Sequence, residues 1–151
     1  MRRGFTFLEL IIAVALTIIL TTLAILVLRP ADELSRARNN ERRAHLNAIL
    51  NAVGQNIADN NGAFSCGSGA LPGATTTMAD NNPVAGQYNI APCLVPAYLL
   101  SLPFDPASTT ASYINTGDYN TAYTVIRNST TGRITLSAPG AELGVTISVT
   151  R

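Results

Sequence analysis

The sequence is poor in charged residues and contains no lysine at all. Only 13% of its 151 residues are charged, and its 10 arginines against 9 acidic residues give a formal net charge of +1. Domains that bind nucleic acid usually present a broad basic surface, and this composition supplies none. The composition therefore predicts no direct contact with nucleic acid, and the bulk charge indicates no other partner.

Catalytic signatures are also missing. The chain has no GxSxG, HExxH, P-loop, GxGxxG or paired-carboxylate pattern, and His45 is its only histidine. A single histidine in a polar helical segment is most often solvated, so His45 predicts neither a catalytic triad nor a metal site. The length suits one small domain rather than a multidomain enzyme. The sequence therefore predicts a protein that is not an enzyme.

Cysteine is scarce, since Cys66 and Cys93 are the only two. They form no CxxC motif and have no histidine-rich neighbourhood, which favours one disulfide in an oxidising compartment over a zinc site. Free thiols remain the alternative. Residues 61–96 are rich in Gly, Ala, Ser, Thr, Asn and Pro with little periodicity, and we predict a long surface loop there. A Cys66–Cys93 bridge would close most of this loop.

One long apolar segment stands near the start of the chain. Residues 5–28 read FTFLELIIAVALTIILTTLAILVL, and Glu9 is their only charge. As a helix rising 1.5 Å per residue, the segment measures about 36 Å and is long enough to span a bilayer. It exceeds the apolar stretch of a secretory signal, which is about 7 to 15 residues. A plain signal anchor would explain its length but not Glu9, because a carboxylate in hydrocarbon costs about 3 kcal/mol.

Arginines flank the apolar segment on both sides. Arg2 and Arg3 precede it, and a second group follows it: Arg29, Arg36, Arg38, Arg42 and Arg43. The first pair predicts a cytoplasmic N-terminus, whereas simple counting of the second group opposes that orientation. Acidic residues are interspersed in the second group, and the region after it has extracytoplasmic character. We therefore favour an N-inside orientation with the rest of the chain outside.

The start of the apolar segment resembles a known processing site. Gly4-Phe5-Thr6-Phe7-Leu8-Glu9, behind a short basic leader, is similar to the site in type IV prepilins and type II secretion pseudopilins. The resemblance implies that a prepilin peptidase cuts between Gly4 and Phe5 and N-methylates Phe5. It also implies that Glu9 acts in filament assembly, where its carboxylate pairs with the Phe5 ammonium of a neighbouring subunit and offsets the cost of burying both charges.

The segment after Pro30 continues with a helical pattern. Family members often carry a kinking proline where this chain has Leu26, whereas here Pro30 follows the apolar segment. Beyond it, an apolar stripe at three- and four-residue spacing comprises Leu46, Leu50, Val53 and Ile57. Asp59-Asn60-Asn61-Gly62 supplies stop and turn residues, so we predict that the helix ends near Asp59.

The last third of the chain alternates with the period of half-buried strands. Three strands are predicted from Tyr123 and Val125, from Ile134, Leu136 and Ala138, and from Leu143, Val145, Ile147 and Val149. Turns are predicted at 128–132 and at Pro139-Gly140. The preceding segment from Val95 to Pro106 is similar to the YL…LP.DP segment of many pilin and pseudopilin heads. We expect its prolines to impose an extended path and Tyr98, Leu99 and Leu102 to pack on the helix.

These elements predict an α+β fold, and the resemblance at the N-terminus implies that it is type IV pilin-like. A long N-terminal helix, transmembrane and then amphipathic, packs on a small antiparallel sheet of three to four strands. The expected organisation is a leader at 1–4, a transmembrane and filament-core helix at 5–28, its amphipathic continuation at 29–60 and a globular head at 61–151.

Oxygen-bearing side chains before the sheet are weak calcium candidates: Asp105, Asn115, Asp118 and Asn120. Some pseudopilins bind calcium in a comparable loop, but turn-forming Asn and Asp are the commoner explanation. Asn128-Ser129-Thr130 fits an N-glycosylation pattern, which we interpret as a turn. Apart from the calcium candidates, no cofactor is predicted.

The resemblance implies a structural subunit of a type IV pilus-like filament. Its implied partners are further copies of itself, other pilins, the prepilin peptidase, and an inner-membrane assembly platform with its motor ATPase. The implied location is the inner membrane, single-pass with the head outside, and then an extracellular or periplasmic filament. Two alternatives remain: a pseudopilin of a type II secretion system, and a monomeric, signal-anchored envelope binding domain.

Overall fold

The structure is a computed structural model that describes residues 4–80 and 86–151. The chain divides into two compact units, Met1–Ser35 and Arg36–Arg151. The first unit contains the apolar helix. The second contains an amphipathic helix packed on a sheet, which gives the α+β class predicted from the sequence.

Two helices account for the first part of the chain, α1 (Phe7–Leu28) and α2 (Pro30–Asp59). The backbone of Arg29, between the two helices, adopts the left-handed conformation, with φ of 41° and ψ of 63°. Pro30 explains the break, because proline disfavours an α conformation in the residue before it and has no N–H to bond back into α1. Pro30 itself fits the first position of α2, where that N–H has no helical partner. The backbone of α1 continues unbroken through position 26.

The C-terminus of α2 forms a Schellman motif. Asn61 adopts a left-handed φ of 55°, Gly62 has φ of 87°, and the Gly62 N–H donates to the Ile57 carbonyl at 2.9 Å. This arrangement satisfies a carbonyl that the last turn would otherwise leave without a donor. The helix therefore ends at Asp59, as the Asp-Asn-Asn-Gly sequence predicted.

The apolar stripe of α2 forms one wall of the core. Leu46, Leu50 and Val53 are buried and Ile57 is partly buried, which confirms the predicted stripe. Ile49 and Ala52 join them in the same cluster as buried sheet residues: Met78, Tyr119, Tyr123, Val125, Leu136 and Ile147. Burying each large aliphatic side chain contributes roughly 1.5 to 3 kcal/mol, so this contact dominates the stability of the second unit.

The sheet has more strands than predicted, and it is mixed. Its strands are β1 (Thr76–Ala79), β2 (Gln87–Tyr88), β3 (Ser112–Asn115), β4 (Asp118–Arg127), β5 (Ile134–Ala138) and β6 (Ile147–Thr150). The order is β2-β1-β4-β5-β6, with β3 paired to the start of β4. All neighbours are antiparallel except β1 and β2, which are parallel. The predicted sheet of three to four antiparallel strands was therefore wrong in strand number and in uniform direction.

Residues 61–96 are not simply a loop, because they include β1, β2 and a short helix, α3 (Ala91–Leu94). Strand β1 gains its hydrogen bonds from β4, with Thr76 opposite Val125 and Thr77 opposite Thr124. A four-residue strand is too short to show a clear alternation of apolar and polar residues. The extended conformation of β1 therefore depends on its pairing with β4 rather than on a pattern in its own sequence. Part of the predicted loop, residues 81–85, lies outside the described residues.

The predicted last strand begins later than expected. Leu143 has a left-handed φ of 60° and Gly144 a φ of 67°, so neither continues a strand, and β6 starts at Ile147. The predicted turn at 128–132 is confirmed: the Asn128 side-chain oxygen accepts the N–H groups of Thr130 and Thr131, at 2.9 Å each. Pro139-Gly140 is also a turn.

The proline-rich segment packs as predicted but is not extended at its start. The N–H groups of Tyr98 and Leu99 both donate to the Leu94 carbonyl, at 2.8 and 3.0 Å, and form a turn after α3. Leu102 is buried, and Tyr98 and Leu99 pack partly buried against the core.

Candidate functional site

The predicted cleavage point lies on an exposed, irregular segment. Gly4, Phe5 and Thr6 precede α1 and adopt no regular secondary structure. Phe5 is 83% exposed, and apart from the adjoining residues no described atom lies within 4 Å of the position that a Cβ on Gly4 would take. Exposed segments without backbone pairing are preferred sites of proteolysis. The Gly4–Phe5 peptide bond is therefore accessible before the helix begins.

Thr6 and Glu9 form the N-terminal cap of α1. The Thr6 backbone is extended, and its hydroxyl oxygen accepts the Glu9 N–H at 3.3 Å. Glu9 is the third helical residue, so Thr6-Phe7-Leu8-Glu9 has the spacing of a capping box. An acidic side chain in the first turn also interacts favourably with the positive end of the helix dipole. Sequence reasoning missed this local role of Glu9, although the T-x-x-E spacing was available to indicate it.

The Glu9 side chain is exposed. Within residues 4–80 and 86–151, no ion pair or side-chain hydrogen bond engages its carboxylate. When water surrounds the helix, water molecules solvate the Glu9 carboxylate. If α1 enters hydrocarbon or a bundle of apolar helices, the carboxylate requires a partner outside the described chain.

The surface of α1 is apolar and uncovered. The helix is long and apolar enough to cross a membrane, and none of its most apolar window is buried. Its exposed large residues include Leu8, Leu10, Ile11, Ile12, Val14, Leu16, Ile18, Ile19, Leu20, Leu23 and Ile25. A water-exposed surface of this kind normally marks a membrane-binding or protein-binding site.

The few polar side chains in the middle of α1 bond to the helix itself. The hydroxyls of Thr17, Thr21 and Thr22 donate to the carbonyls of residues 14, 17 and 18, at 2.7 to 2.9 Å. Groups that are satisfied within the helix need no water. The described contacts of α1 are thus compatible with an apolar environment at every point except the carboxylate of Glu9.

Asp105, one of the calcium candidates, instead forms a buried ion pair. Its two oxygens accept bonds from Arg42 Nη2 and Nε at 2.9 and 2.8 Å, and both side chains are only 1% exposed. The Ala107 N–H donates a further bond at 2.9 Å. Gly140 approaches so closely that a Cβ there would lie 2.7 Å from Asp105 Oδ2. The carboxylate is therefore committed to the core, which argues against a role as a calcium ligand.

The charge on Asp105 is stabilised by these contacts. Burial alone would raise its pKa, but the hydrogen bonds from Arg42 and Ala107 and the charge of Arg42 outweigh burial and leave the pKa lowered. The Arg42 guanidinium, whose pKa is raised chiefly by the Asp105 hydrogen bond, also bonds Glu142 through Nη1 at 2.8 Å. Arg42 thus joins α2 to two separate loops of the second unit.

The remaining calcium candidates serve as turn and strand residues. Asn115 Oδ1 accepts the Gly117 N–H at 2.8 Å, and Asn120 Oδ1 accepts the Ala122 N–H at 2.9 Å. Asp118 begins β4 opposite Asn115. Across the described residues, no group of three His, Cys, Asp or Glu side chains is arranged to hold a metal ion.

His45 is less solvated than predicted. Its side chain is 24% exposed, and its Nδ1 lies 3.0 Å from the Tyr123 hydroxyl. Glu41, one helical turn earlier, lies 3.7 Å from Nε2. Burial of Tyr123 raises the pKa of that phenol, which stays protonated and able to donate to the ring. The histidine was predicted as solvated because the long-range contact with β4 cannot be inferred from helical position alone.

Cys66 and Cys93 form a disulfide, with their Cα atoms 5.1 Å apart. Asn56 on α2 supports both ends of this bridge. Its Nδ2 donates to the carbonyls of Ser65 and Cys93, and its Oδ1 accepts the Ser65 N–H at 2.9 Å. The bridge joins α3 to the segment that follows α2, and Asn56 ties both to α2.

Comparison with known proteins finds no matching protein-family model, no matching curated protein and no matching solved structure. The functional argument therefore depends on this chain's own residues.

Proposed function

We propose that this protein is a structural subunit of a type IV pilus-like filament. In this proposal a prepilin peptidase cuts the Gly4–Phe5 bond and methylates Phe5, and the processed chain polymerises through α1. The helix first anchors the subunit in the inner membrane with the second unit outside. An assembly platform with a motor ATPase then moves it into the filament.

The observation that carries the proposal is the combination found at α1. An exposed Gly4–Phe5 junction precedes a 22-residue apolar helix, and that helix has one carboxylate in its first turn. A simple membrane anchor requires the apolar length but has no use for a charge at that depth. Assembly supplies a use, because a neighbouring subunit can offer the opposite charge as the helix leaves water.

A pseudopilin of a type II secretion system would share this processing and assembly, so it is a variant of the same proposal. The rival from another class is an anchored envelope domain that remains a monomer. The membrane-spanning length of α1 suits this rival equally well. Processing at Gly4 separates the two classes, because a plain anchor is not cut there.

The test is to coexpress the full chain with a prepilin peptidase and measure its intact mass and N-terminal sequence. We expect loss of residues 1–4 and a methylated Phe5. Gly4→Leu should block the cut, because a bulky side chain at the scissile residue hinders access of the peptidase. Gly73→Leu is the matched control, since Gly73 is exposed with open space around it and should leave processing unchanged. An uncut wild-type chain would favour the anchored monomer.

A further inference from the structure

Two cavities adjoin in the second unit, where the C-terminal turns of α2 lie over one end of the sheet. The larger, of about 550 Å³, is lined by residues of α2 and by Arg151. The smaller, of about 370 Å³, is lined by residues that follow α2 and by Arg127. Ile57, Gly132 and Ile134 line both cavities. We call the two cavities together the α2-terminal cleft.

The α2-terminal cleft has the size and the lining of a binding site. Each cavity falls within the range of specific pockets, which is about 300 to 1,000 Å³. The large apolar side chains of the lining are Leu50, Val53, Ile57, Phe64, Leu71 and Ile134. Neither cavity has an aspartate or a glutamate among its described lining residues. An occupant must therefore present an apolar surface to this cleft.

Two arginines flank Ile134 in one row across the sheet. Arg127 on β4 lies opposite Ile134 on β5, and the backbone of Ile134 exchanges hydrogen bonds with that of Arg151 at 2.8 and 3.0 Å. Directly opposed residues project from the same face of a sheet, so both arginines lie on the face that packs against α2. Two strand spacings separate the Cα atoms of Arg127 and Arg151, a distance of about 10 Å.

The charges of Arg127 and Arg151 are not compensated within the described chain. Both residues are exposed, and no carboxylate among residues 4–80 and 86–151 pairs with either guanidinium. Arg42 is the contrasting case, because Asp105 and Glu142 both bind its guanidinium. The α2-terminal cleft therefore presents an apolar floor between two positive charges, which is complementary to an apolar surface that carries two negative charges.

Two glycines keep the cleft open. Gly54 lies inside α2, where glycine is less favourable than alanine, and a Cβ there would lie 3.0 Å from Arg151 Nη1. The missing side chain thus leaves room for the Arg151 guanidinium beside the helix. Gly132 has a φ of 71° and places no side chain between the two cavities. A segment that lies across Gly132 can reach both cavities at once.

The spacing of the two arginines indicates the conformation of such a segment. In an extended chain, side chains on one face are about 7 or 13 Å apart, and neither distance matches the separation of the arginines. On a helix, residues seven positions apart share a face and lie about 10.5 Å apart, and residues three and four positions along lie between them. An amphipathic helix with acidic residues at positions i and i+7 and apolar residues at i+3 and i+4 therefore fits the cleft.

We propose that the α2-terminal cleft is a docking site for an acidic amphipathic helix of a partner protein. In this complex Arg127 and Arg151 bind acidic side chains seven residues apart, and the apolar side chains between them contact Ile57 and Ile134. Laying the apolar face of a helix into a groove is a general mode of peptide recognition. The inference goes beyond the proposed filament function, because the cleft belongs to the second unit and requires neither processing nor polymerisation.

The test uses the full chain in phosphatidylcholine nanodiscs, labelled at the isoleucine methyl groups for NMR. The probe is a synthetic helical peptide with glutamates at i and i+7, leucines at i+3 and i+4, and alanine and glutamine elsewhere. We expect saturable shifts of the Ile57 and Ile134 methyl signals. Ile90 is the internal control, because it is fully buried and lines neither cavity. If the peptide shifts neither methyl signal at about 1 mM, the inference is wrong.

Two further peptides test the charges and their spacing. A peptide with glutamines in place of both glutamates should bind about tenfold more weakly, because it loses both charge-assisted contacts. A peptide with its glutamates at i and i+3 should also bind more weakly than the i and i+7 peptide, because it reaches only one arginine. Equal affinity of all three peptides would overturn the assignment of Arg127 and Arg151.

Substitutions in the protein test the same contacts from the other side. Arg127→Gln and Arg151→Gln should each weaken binding of the acidic peptide about fivefold or more, and neither should weaken binding of the glutamine peptide further. Arg133→Gln is the matched control, because it removes the same charge next to Ile134 but lines neither cavity. Equal losses in all three variants would indicate unspecific attraction between charges and would overturn the site.

A substitution that fills the cleft tests its apolar part. Gly54→Leu should weaken binding about tenfold or more without lowering the melting temperature, because leucine favours a helix more than glycine does. Ala44→Leu is the control, since Ala44 is exposed on α2 and lines neither cavity. Undiminished binding in Gly54→Leu would show that the peptide lies elsewhere.

Two rival occupants give distinct outcomes in the same NMR experiment without peptide. Shifts of Ile57 and Ile134 caused by phosphatidylglycerol in the nanodiscs, and lost in Arg127→Gln and Arg151→Gln, would assign the cleft to an anionic lipid. Shifts that grow with protein concentration and disappear on dilution would assign it to a second copy of this chain. Either result would overturn the inference of a helix from a different protein.

Discussion

At the scale of single residues, Glu9 has one role for its backbone and another for its side chain. Its N–H completes the Thr6 cap, and its carboxylate lies in the positive field of the first turn of α1. Cleavage after Gly4 would place an ammonium on Phe5, at the same end of the helix. That charge opposes the helix dipole, so a nearby carboxylate becomes more important after processing than before it.

Glu9→Gln and Glu9→Ala should both be processed at Gly4, and both should assemble poorly. Both substitutions remove the charge and keep the backbone N–H that the Thr6 hydroxyl accepts, and glutamine also keeps the length and polarity of the side chain. We therefore expect equal helix content by circular dichroism in Glu9→Gln and wild type, together with a loss of filaments. Normal filaments from Glu9→Gln would show that assembly does not require the charge of this residue.

Arg42 and Asp105 show what single-residue reasoning could not predict from the sequence. They are 63 residues apart, and Asp105 was interpreted from the sequence as a weak calcium candidate or a turn residue. Asp105→Asn should destabilise the second unit by about 3 to 5 kcal/mol, because it leaves the buried Arg42 charge without its main partner. Urea denaturation measures this loss. Asp32→Asn is the control, since its 4.0 Å contact with Arg29 is exposed and is worth less than about 1 kcal/mol.

The same pair predicts a dependence of stability on pH. The pKa of Asp105 is lowered in the folded state from its ordinary value of 3.8, so its contribution is complete above that value and is lost as pH falls through the folded-state pKa. Thermal melts between pH 7 and pH 2 should therefore show a smaller acid-induced fall in Asp105→Asn than in wild type. Parallel curves for the two proteins would remove Asp105 as a source of acid sensitivity.

At the scale of elements, the sequence predicted best where local chemistry determines structure. The C-terminus of α2 follows from Asn61 and Gly62, which tolerate positive φ, and the α2 core stripe follows from helical periodicity. Strand β1 was missed because its four residues depend on pairing with β4. The conformation at Leu143 was missed because it is imposed by contacts of Glu142 with residues on α2.

The disulfide is the element-scale feature most open to direct test. Cys66 and Cys93 are 27 residues apart, so their bridge should stabilise the fold by about 3 kcal/mol, mainly through the unfolded chain. Cys66→Ser/Cys93→Ser should lower the urea midpoint accordingly, and reducing agent should lower the wild-type midpoint by a similar amount. Reducing agent should leave the double variant unchanged. Non-reducing mass mapping that finds both thiols free in exported protein would contradict the bridge.

At the scale of the whole molecule, the hydrophobic core and the exposed apolar helix belong to different units of the chain. The core lies in Arg36–Arg151, whereas α1 contributes apolar surface and no described core residue. The sequence did distinguish an apolar helical run from an amphipathic stripe, because the two differ plainly in pattern. It did not predict the mixed sheet, since strand number and direction depend on pairings between distant segments.

This division predicts opposite effects for two isoleucine substitutions. Ile18 is 61% exposed near the middle of α1, and Ile49 is fully buried in the core. Ile18→Lys should leave thermal unfolding of the second unit unchanged but lose membrane partitioning and filaments, because a lysine at a helix centre costs about 3 kcal/mol on insertion. Ile49→Ala should instead destabilise that unit by about 2 to 5 kcal/mol while the chain still partitions into membranes. If Ile18→Lys lowered the melting temperature as much as Ile49→Ala, α1 would be part of the folded core, and its exposed surface would no longer support an assembly role.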